Sequence, residues 1–284
     1  MKKAKKILAF VLAAAMLLCL TGCGSFESKM VKAVKKMNDL QNFHMDMEVQ
    51  MGLSMAMLGQ SLDVDAKMTF GMDMQNEPMR SRIDMTVEAL NTSEQALIYL
   101  EQSEDSYTVY ASADGGATWE KEQVSAEETP AQSGNMVGNM QMFISCAKSF
   151  QEAGTEEING SAATRYDGEI SGESIQTAID MSGAKDILSE NLGTELDEDS
   201  FTALGSIPCS LWIDNKSGMI VRYDMDMTAV MQSLLDDMIK EVLASQGLEG
   251  VAPELTLSKG TVSAVLSQFD QVGEITIPDE AKAA

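Results

Sequence analysis

An α+β fold organised around a curved antiparallel sheet with an apolar hollow is what this sequence predicts, and three observations carry it. First, Met45, Met47, Val49, Met51, Leu53, Met55 and Met57 fall on every second position. After a Leu58-Gly59-Gln60 break, Leu62, Val64, Ala66, Met68, Phe70, Met72 and Met74 repeat the pattern, with mostly polar residues between. Strand side chains point alternately to two faces, so each of these strands has one oily and one wet side. Second, the same alternation returns several times along the chain between turn-forming residues. Third, a few stretches instead show the three-four spacing of amphipathic helices.

The chain has 284 residues, 44% of them hydrophobic, enough for one large domain or two small ones. Formal net charge is −24. Without Lys2, Lys3, Lys5 and Lys6 the balance becomes 16 Lys+Arg against 44 Asp+Glu, or −28. Such a surface repels phosphate backbones and excludes nucleic-acid binding. Aromatics make up only 5%, whereas there are 23 methionines. The plain reading of the methionines is core residues in place of Leu and Val, since the thioether is a flexible gap-filler.

Residues 1–22 read as a signal peptide. Met1–Lys6 is basic, Ile7–Leu20 is apolar and short for a membrane span, and Leu20-Thr21-Gly22-Cys23 follows. That ending resembles the lipobox of bacterial lipoproteins, which implies cleavage before Cys23 and acylation of Cys23. Residues 23–26 would then be a lipidated tether and 27–284 one domain, since no long linker interrupts it.

The helix expected over 27–40 places Met30, Val34 and Met37 on one face, with Lys29, Lys32, Lys35 and Lys36 on its basic side. These lysines read either as a membrane-facing patch that anionic headgroups attract or as an ordinary solvated helix face. Met79, Ile83, Met85 and Val87 form a third alternating run after Pro78, and strands follow at 96–100 and 107–111. Ser112, Asp114, Gly116, Thr118 and Trp119 complete one S-x-D-x-G-x-T-W Asp box. The box recurs in each blade of sialidase-like propellers but occurs once here, so it reads as a hairpin with Trp119 packed beneath it. Glycosidase chemistry needs paired carboxylates, and nothing locates a pair.

A helix over 135–151, closed by Gly154, carries Met136, Met140, Phe143, Ala147 and Phe150 on one stripe. Ile158-Asn159-Gly160 reads as a turn and 164–170 as a strand. Helical spacing returns over 173–192, and 195–200 is an acidic loop without EF-hand ligand spacing. A hairpin with strands ending at Asp214 and starting at Ile220 is joined by Asn215-Lys216-Ser217-Gly218. A helix over 230–245, a long strand over 256–269 and Ile275-Thr276-Ile277-Pro278 close the chain.

The lipobox, the short first helix, the striped strands, the Leu211-Trp212-Ile213-Asp214 hairpin and the ending Ile275–Ala281 together resemble the LolA/LppX/LprG-like bacterial lipoproteins. More closely, they resemble the uncharacterised Gram-positive lipoproteins of that plan. The resemblance implies a strongly curved antiparallel sheet, a half-open barrel, with helices covering the concave face. It further implies an acyl chain as the ligand in the hollow.

No nucleophile motif of the G-x-S-x-G kind and no H-E-x-x-H or C-x-x-C is present, and His44 is the single histidine. A non-enzymatic protein without a cofactor is expected. The M-x-M pairs Met45/Met47, Met55/Met57, Met72/Met74, Met140/Met142 and Met225/Met227 have the soft donors that suit Cu(I), at the spacing that any Met-faced strand also demands. Cys146 and Cys209 are the even pair left after the leader and Cys23, either disulfide-bonded or two buried thiols.

The expected function is a membrane-anchored extracytoplasmic lipoprotein binding an apolar, acyl-chain-like ligand. Its hollow would be lined by Met45, Met47, Met51, Met68, Phe70, Met72, Met85, Met225 and Met227. The alternatives are a non-catalytic surface scaffold or interaction module with a filled core, its partner protein unknown, and Cu(I) binding.

Overall fold

In the computed structural model, residues 26–57, 60–103, 106–125, 149–174, 205–245 and 254–284 are described. The expected leader, Cys23, Cys146, the acidic loop and most of the helices expected over 135–151 and 173–192 lie outside these residues. Eleven strands form one antiparallel sheet: β1 (Asn42–Met57), β2 (Gln60–Asn76), β3 (Met79–Ala89), β4 (Thr92–Gln102), β5 (Ser106–Ser112), β6 (Glu120–Ser125), β7 (Gln151–Ile158), β8 (Ser161–Ser171), β9 (Ser206–Asp214), β10 (Ile220–Asp226) and β11 (Glu254–Ser267). The described helices are α1 (Phe26–Asn38), α2 (Thr228–Ser245) and the short α3 (Asp279–Lys282).

The strand order is β6-β5-β4-β3-β2-β1-β11-β10-β9-β8-β7. Every pair of consecutive strands except β6 and β7 lies side by side, and β11 pairs with β1. The edges are β6 and β7, themselves consecutive in sequence. The sheet is thus an up-and-down meander whose two ends are joined through β1 and β11, and it is not closed.

Register puts the two faces of β1 and β2 where the alternation predicts them. Met45 opposes Met72, Met47 opposes Phe70 and Val49 opposes Met68. The other face carries Lys67 paired with Glu48 at 2.6 Å and His44 hydrogen-bonded to Asp73 at 2.7 Å. A one-residue slip would bury these charges, so the register is strongly specified. In β11 the apolar parity changes from Leu255 and Leu257 to Val262, Ala264 and Leu266. A bulge absorbs the change: Gly52 pairs with Lys259 but Leu53 pairs with Leu257, which leaves Ser258 as the extra residue. A Cβ on Gly52 would stand 2.5 Å from Ser258 Oγ, so the serine side chain would have to turn away to admit it.

The main core forms where α1 lies on β8–β11. Phe26, Met30, Ala33, Val34 and Met37 of α1 pack in one cluster with Tyr166, Ile170, Leu211, Ile213, Ile220, Ala264 and Leu266. On the opposite face Trp212 is buried with Ala163 and Val221, with the Arg165 and Arg222 guanidinium groups over its ring at 5.3 and 4.8 Å. A third cluster joins Tyr99 and Tyr110 to Ile275, Ile277 and Ala281, so the C-terminal segment crosses β4 and β5 as a strap. Its path is fixed by Gln75, which accepts the Ile275 N–H at 3.2 Å.

One element differs from expectation. Gln151, expected as the last residue of a helix, instead begins β7, and Gly154, expected to close that helix, lies inside the strand at a bulge with φ of 139°. Glycine in both places signals a break in regular backbone, and sequence alone does not tell a helix stop from a strand bulge. The Asn159-Gly160 turn is as expected, with φ of 52° and 76° at its two residues, the twist that joins β7 to β8 tightly.

Candidate functional site: a methionine-lined sheet face

The strands give the candidate site its floor. From β1 through β4, the cross-strand rows on the apolar face run Met47, Phe70, Met85, Ala96 and Met45, Met72, Ile83, Ile98. Met68 and Val87 stand opposite each other one row further on. Seven of the nine side chains expected to line a hollow, those of β1–β3, therefore share one face, Met225 joins it across β11, and the nine fall into two groups. Met45 is 2% exposed inside the main core, and Met47, Met72, Met225 and Met227 pack against that core. Met51, Met68, Phe70 and Met85 are half-buried and belong to no buried cluster.

Beside this second group lies a cavity of about 700 Å³ lined by Met85, Val87 and Ala96, with Ser93, Glu94, Gln95, Ala113, Asp114 and Gly115 at its rim. A second cavity, of about 660 Å³, reaches Met51 and Ala66 among polar residues that include Lys67, Glu88 and Lys259. Both volumes fall in the range of small-molecule clefts, roughly 300–1,000 Å³.

One side of the rim of the first cavity belongs to the Asp box. Asp114 Oδ1 accepts the N–H groups of Ala117 and Thr118 at 2.9 and 2.8 Å, and Oδ2 accepts the Thr118 hydroxyl at 2.6 Å. The Ser112 hydroxyl accepts the Gly116 N–H at 2.8 Å and donates to Asp114 at the same distance. Trp119 Nε1 donates to the Gly116 carbonyl at 3.1 Å, and its ring lies 5.8 Å from Tyr99. Hydrogen bonds from Thr118 above all, then Ser112 and Ala117, hold the Asp114 carboxyl at about 2. This is turn architecture, as the single box implied.

His44 sits on the polar face between Asp73 at 2.7 Å and Asp46 at 3.2 Å. Burial lowers its pKa, but the two aspartates outweigh burial and the net shift is upward. On the apolar face, burial pushes Tyr223 up to about 12, so its hydroxyl keeps its proton at neutral pH. Cys209 is buried on β9. Among the described residues no group of three or more His, Cys, Asp or Glu could hold a metal, and no helix is long and apolar enough to cross a membrane.

The four lysines of α1 do not share one environment. Lys29 donates to the Tyr166 hydroxyl at 2.6 Å and lies 3.8 Å from Glu152, and Lys36 donates to the Ser217 carbonyl. Lys32 and Lys35 are exposed. All four line one groove of about 510 Å³ with Tyr166, Ile213, Asp214, Asn215 and Gly218. The wall residues of that groove were not evident from sequence. The Asn215–Gly218 turn was legible, but nothing local says that it meets α1.

Several solved structures are similar to this chain. The Mycobacterium tuberculosis lipoprotein LppX is 12% identical, with 88% of this chain and 98% of that one covered and a TM-score of 0.44. LprF from Mycobacterium bovis is 15% identical, covering 90% and 96%, with a TM-score of 0.45. A LolA superfamily protein from Nitrosomonas europaea is 9% identical, covering 91% and 97%, with a TM-score of 0.18. No curated protein matches the sequence at a significant level. Residues 26–234, well over half the chain, match a family of unknown function, DUF6612, and the chain belongs to that family.

Proposed function

We propose that this protein is a non-enzymatic lipoprotein, held at the extracytoplasmic face of the cell membrane through acylated Cys23, that binds an acyl-chain-like ligand against the methionine-lined face of β1–β4. The observation that carries the reading is the two half-buried rows Met68 with Val87 and Phe70 with Met85, which belong to no buried cluster and of which Met85 and Val87 line a cavity of about 700 Å³. An apolar ligand removes that surface from water, which is favourable by roughly 25 cal/mol per Å². Thioethers adapt their shape to a flexible chain at little strain. The resemblance read from the sequence points the same way, and it adds helices over the concave side of a half-open barrel.

The test is native mass spectrometry of protein purified from membranes, together with uptake of a fluorescent fatty acid. A co-purifying lipid, and uptake abolished by Met68→Lys with Met85→Lys at an unchanged melting temperature, are the expected results. Bare protein without uptake would favour the second reading, a surface scaffold whose core is complete. The filled region under α1, where Met30, Leu211, Ile220 and Leu266 reach 0% exposure, gives that reading its support.

A further inference from the structure

We infer that the groove between α1 and the β9–β10 turn is a binding site for a phosphate group, of the kind carried by an anionic lipid headgroup or by free phosphate. The inference deepens the membrane-anchored reading and rests on it for the location of the site. Four of the chain's 20 basic residues lie on α1, which carries a single acid, Glu27, while the whole chain has a net charge of −24. Packing decides where they point. The stripe Phe26, Met30, Ala33, Val34 and Met37 is buried against the β8–β10 surface, so Lys29, Lys32 and Lys36, at i, i+3 and i+7, run along the flank facing the β9–β10 turn.

The groove is preorganised at both ends. Lys29 is held by Tyr166, its ammonium 2.6 Å from the hydroxyl and 5.2 Å from the ring centre. Lys36 is held by the Ser217 carbonyl beside Gly218, where a Cβ would come within 3.1 Å of its ammonium. Lys32 and Lys35 lie between them, and neither has a side-chain partner among the described residues. The acids nearby are Glu152, Asp39 and Asp214. Asp214 is buried; its Oδ1 accepts the N–H groups of Lys216 and Ser217, while Oδ2 makes no hydrogen bond among the described residues. Four lysines against these three acids still leave the groove net positive. A lysine ammonium is a point charge suited to phosphate oxygens, and a volume of about 510 Å³ admits a headgroup. Phe26, the first residue of α1, is three positions from Cys23, so the site would lie next to the bilayer surface.

The experiment uses the mature chain, residues 23–284, made without its leader so that Cys23 carries no acyl group. Co-sedimentation is measured with phosphatidylcholine vesicles with and without phosphatidylglycerol, and inorganic phosphate is titrated by calorimetry. Binding that requires phosphatidylglycerol and falls roughly tenfold in Lys32→Gln with Lys35→Gln is expected. Asn215→Glu, on the opposite wall, should cause a similar loss, which a flat basic helix would not show. Resistance of that binding to millimolar phosphate assigns the site to a headgroup; calorimetric phosphate binding that competes with the vesicles assigns it to free phosphate. Equal binding to both vesicle types with no phosphate heat, or lysine variants that bind like the parent, would overturn the inference. Fatty acid uptake by the same lysine variants should be intact, so failure here is distinct from failure of the ligand reading.

Discussion

The two halves of the sheet use one sequence pattern to different ends. Over β8–β11 the apolar face meets α1, and its residues vanish from solvent, as Ile170, Leu211, Ala264 and Leu266 do at 0% exposure. Over β2–β4 the equivalent rows, Met68 with Val87 and Phe70 with Met85, are half-buried, with a cavity beside them. Composition differs in the same direction. The strands of the filled half bury mainly aromatic and branched side chains, such as Tyr166, Ile170, Leu211, Ile213 and Leu266, to which α1 adds Met30 and Met37, whereas β2 and β3 present Met68 and Met85 half-buried. Close packing rewards side chains of defined shape, and a surface that meets a variable partner rewards flexible ones.

The comparison is most exposed to a pair of truncations. Leu211→Ala removes a fully buried side chain and should cost about 2–5 kcal/mol, read by urea unfolding. Met85→Ala removes a half-buried one beside an existing cavity and should cost about 1 kcal/mol or less. Equal costs would mean that both halves are filled alike.

A smaller effect tests the packing of the filled half from the opposite direction. A Cβ on Gly168 would stand 2.6 Å from the Phe150 ring and 2.9 Å from the Phe150 Cα, with the ring itself stacked on Phe26 at 4.8 Å. Because the backbone is part of the clash, a rotamer change cannot relieve it. Gly168→Ala should cost about 1–3 kcal/mol. Combined with Phe150→Ala the cost should be clearly less than additive, since the two share one contact. Full additivity would show that Phe150 does not seat on Gly168 in solution.

How much of this was legible beforehand depended on the range of the interaction. Alternation in β1 and β2 was visible because a half-buried strand writes its face every second residue. The Asn159-Gly160 turn and the Asp box were visible because their hydrogen bonds close within a few residues. The Ser258 bulge left a trace, the parity change between Leu257 and Val262, which the expected strand over 256–269 passed over. The split of nine lining residues into two groups left none, because Met45 and Met85 occupy the same kind of strand position. Only the placement of α1, a contact across more than a hundred residues of sequence to Tyr166, separates them. The strap Ile275–Ile277 was recognised as a closing segment, but that it covers Tyr99 and Tyr110 is a long-range fact of the same sort.

At the rim of the open half, Asp114 provides a test by pH. Its folded carboxyl titrates at about 2 against an ordinary value of 3.8, because turn hydrogen bonds favour the charged form. A depressed carboxylate contributes stability above the unfolded value, and that contribution is lost as pH falls through the folded one. Melting followed downward from about pH 4 to pH 2 should therefore fall less steeply in Asp114→Asn than in the parent chain. An identical slope would show that the turn does not hold the charge.

The smallest expected effect lies on β1, the strand between the two halves. His44 is raised above 6.5 despite burial, because Asp73 and Asp46 face it. A raised histidine contributes stability that is complete below 6.5 and is lost as pH rises through the higher folded value, so the sign is opposite to that of Asp114. The loss is limited because Asp73 keeps a second cation, Arg82, at 3.8 Å when the imidazole becomes neutral. Melting temperatures between about pH 6 and pH 9 should thus decline slightly in the parent chain and less in His44→Gln. Adding Arg82→Gln to the parent should steepen the decline, since Asp73 then depends on His44 alone. If Arg82→Gln leaves the slope unchanged, the aspartate is solvated rather than shared, and the polar face of the junction strand contributes nothing to the pH dependence.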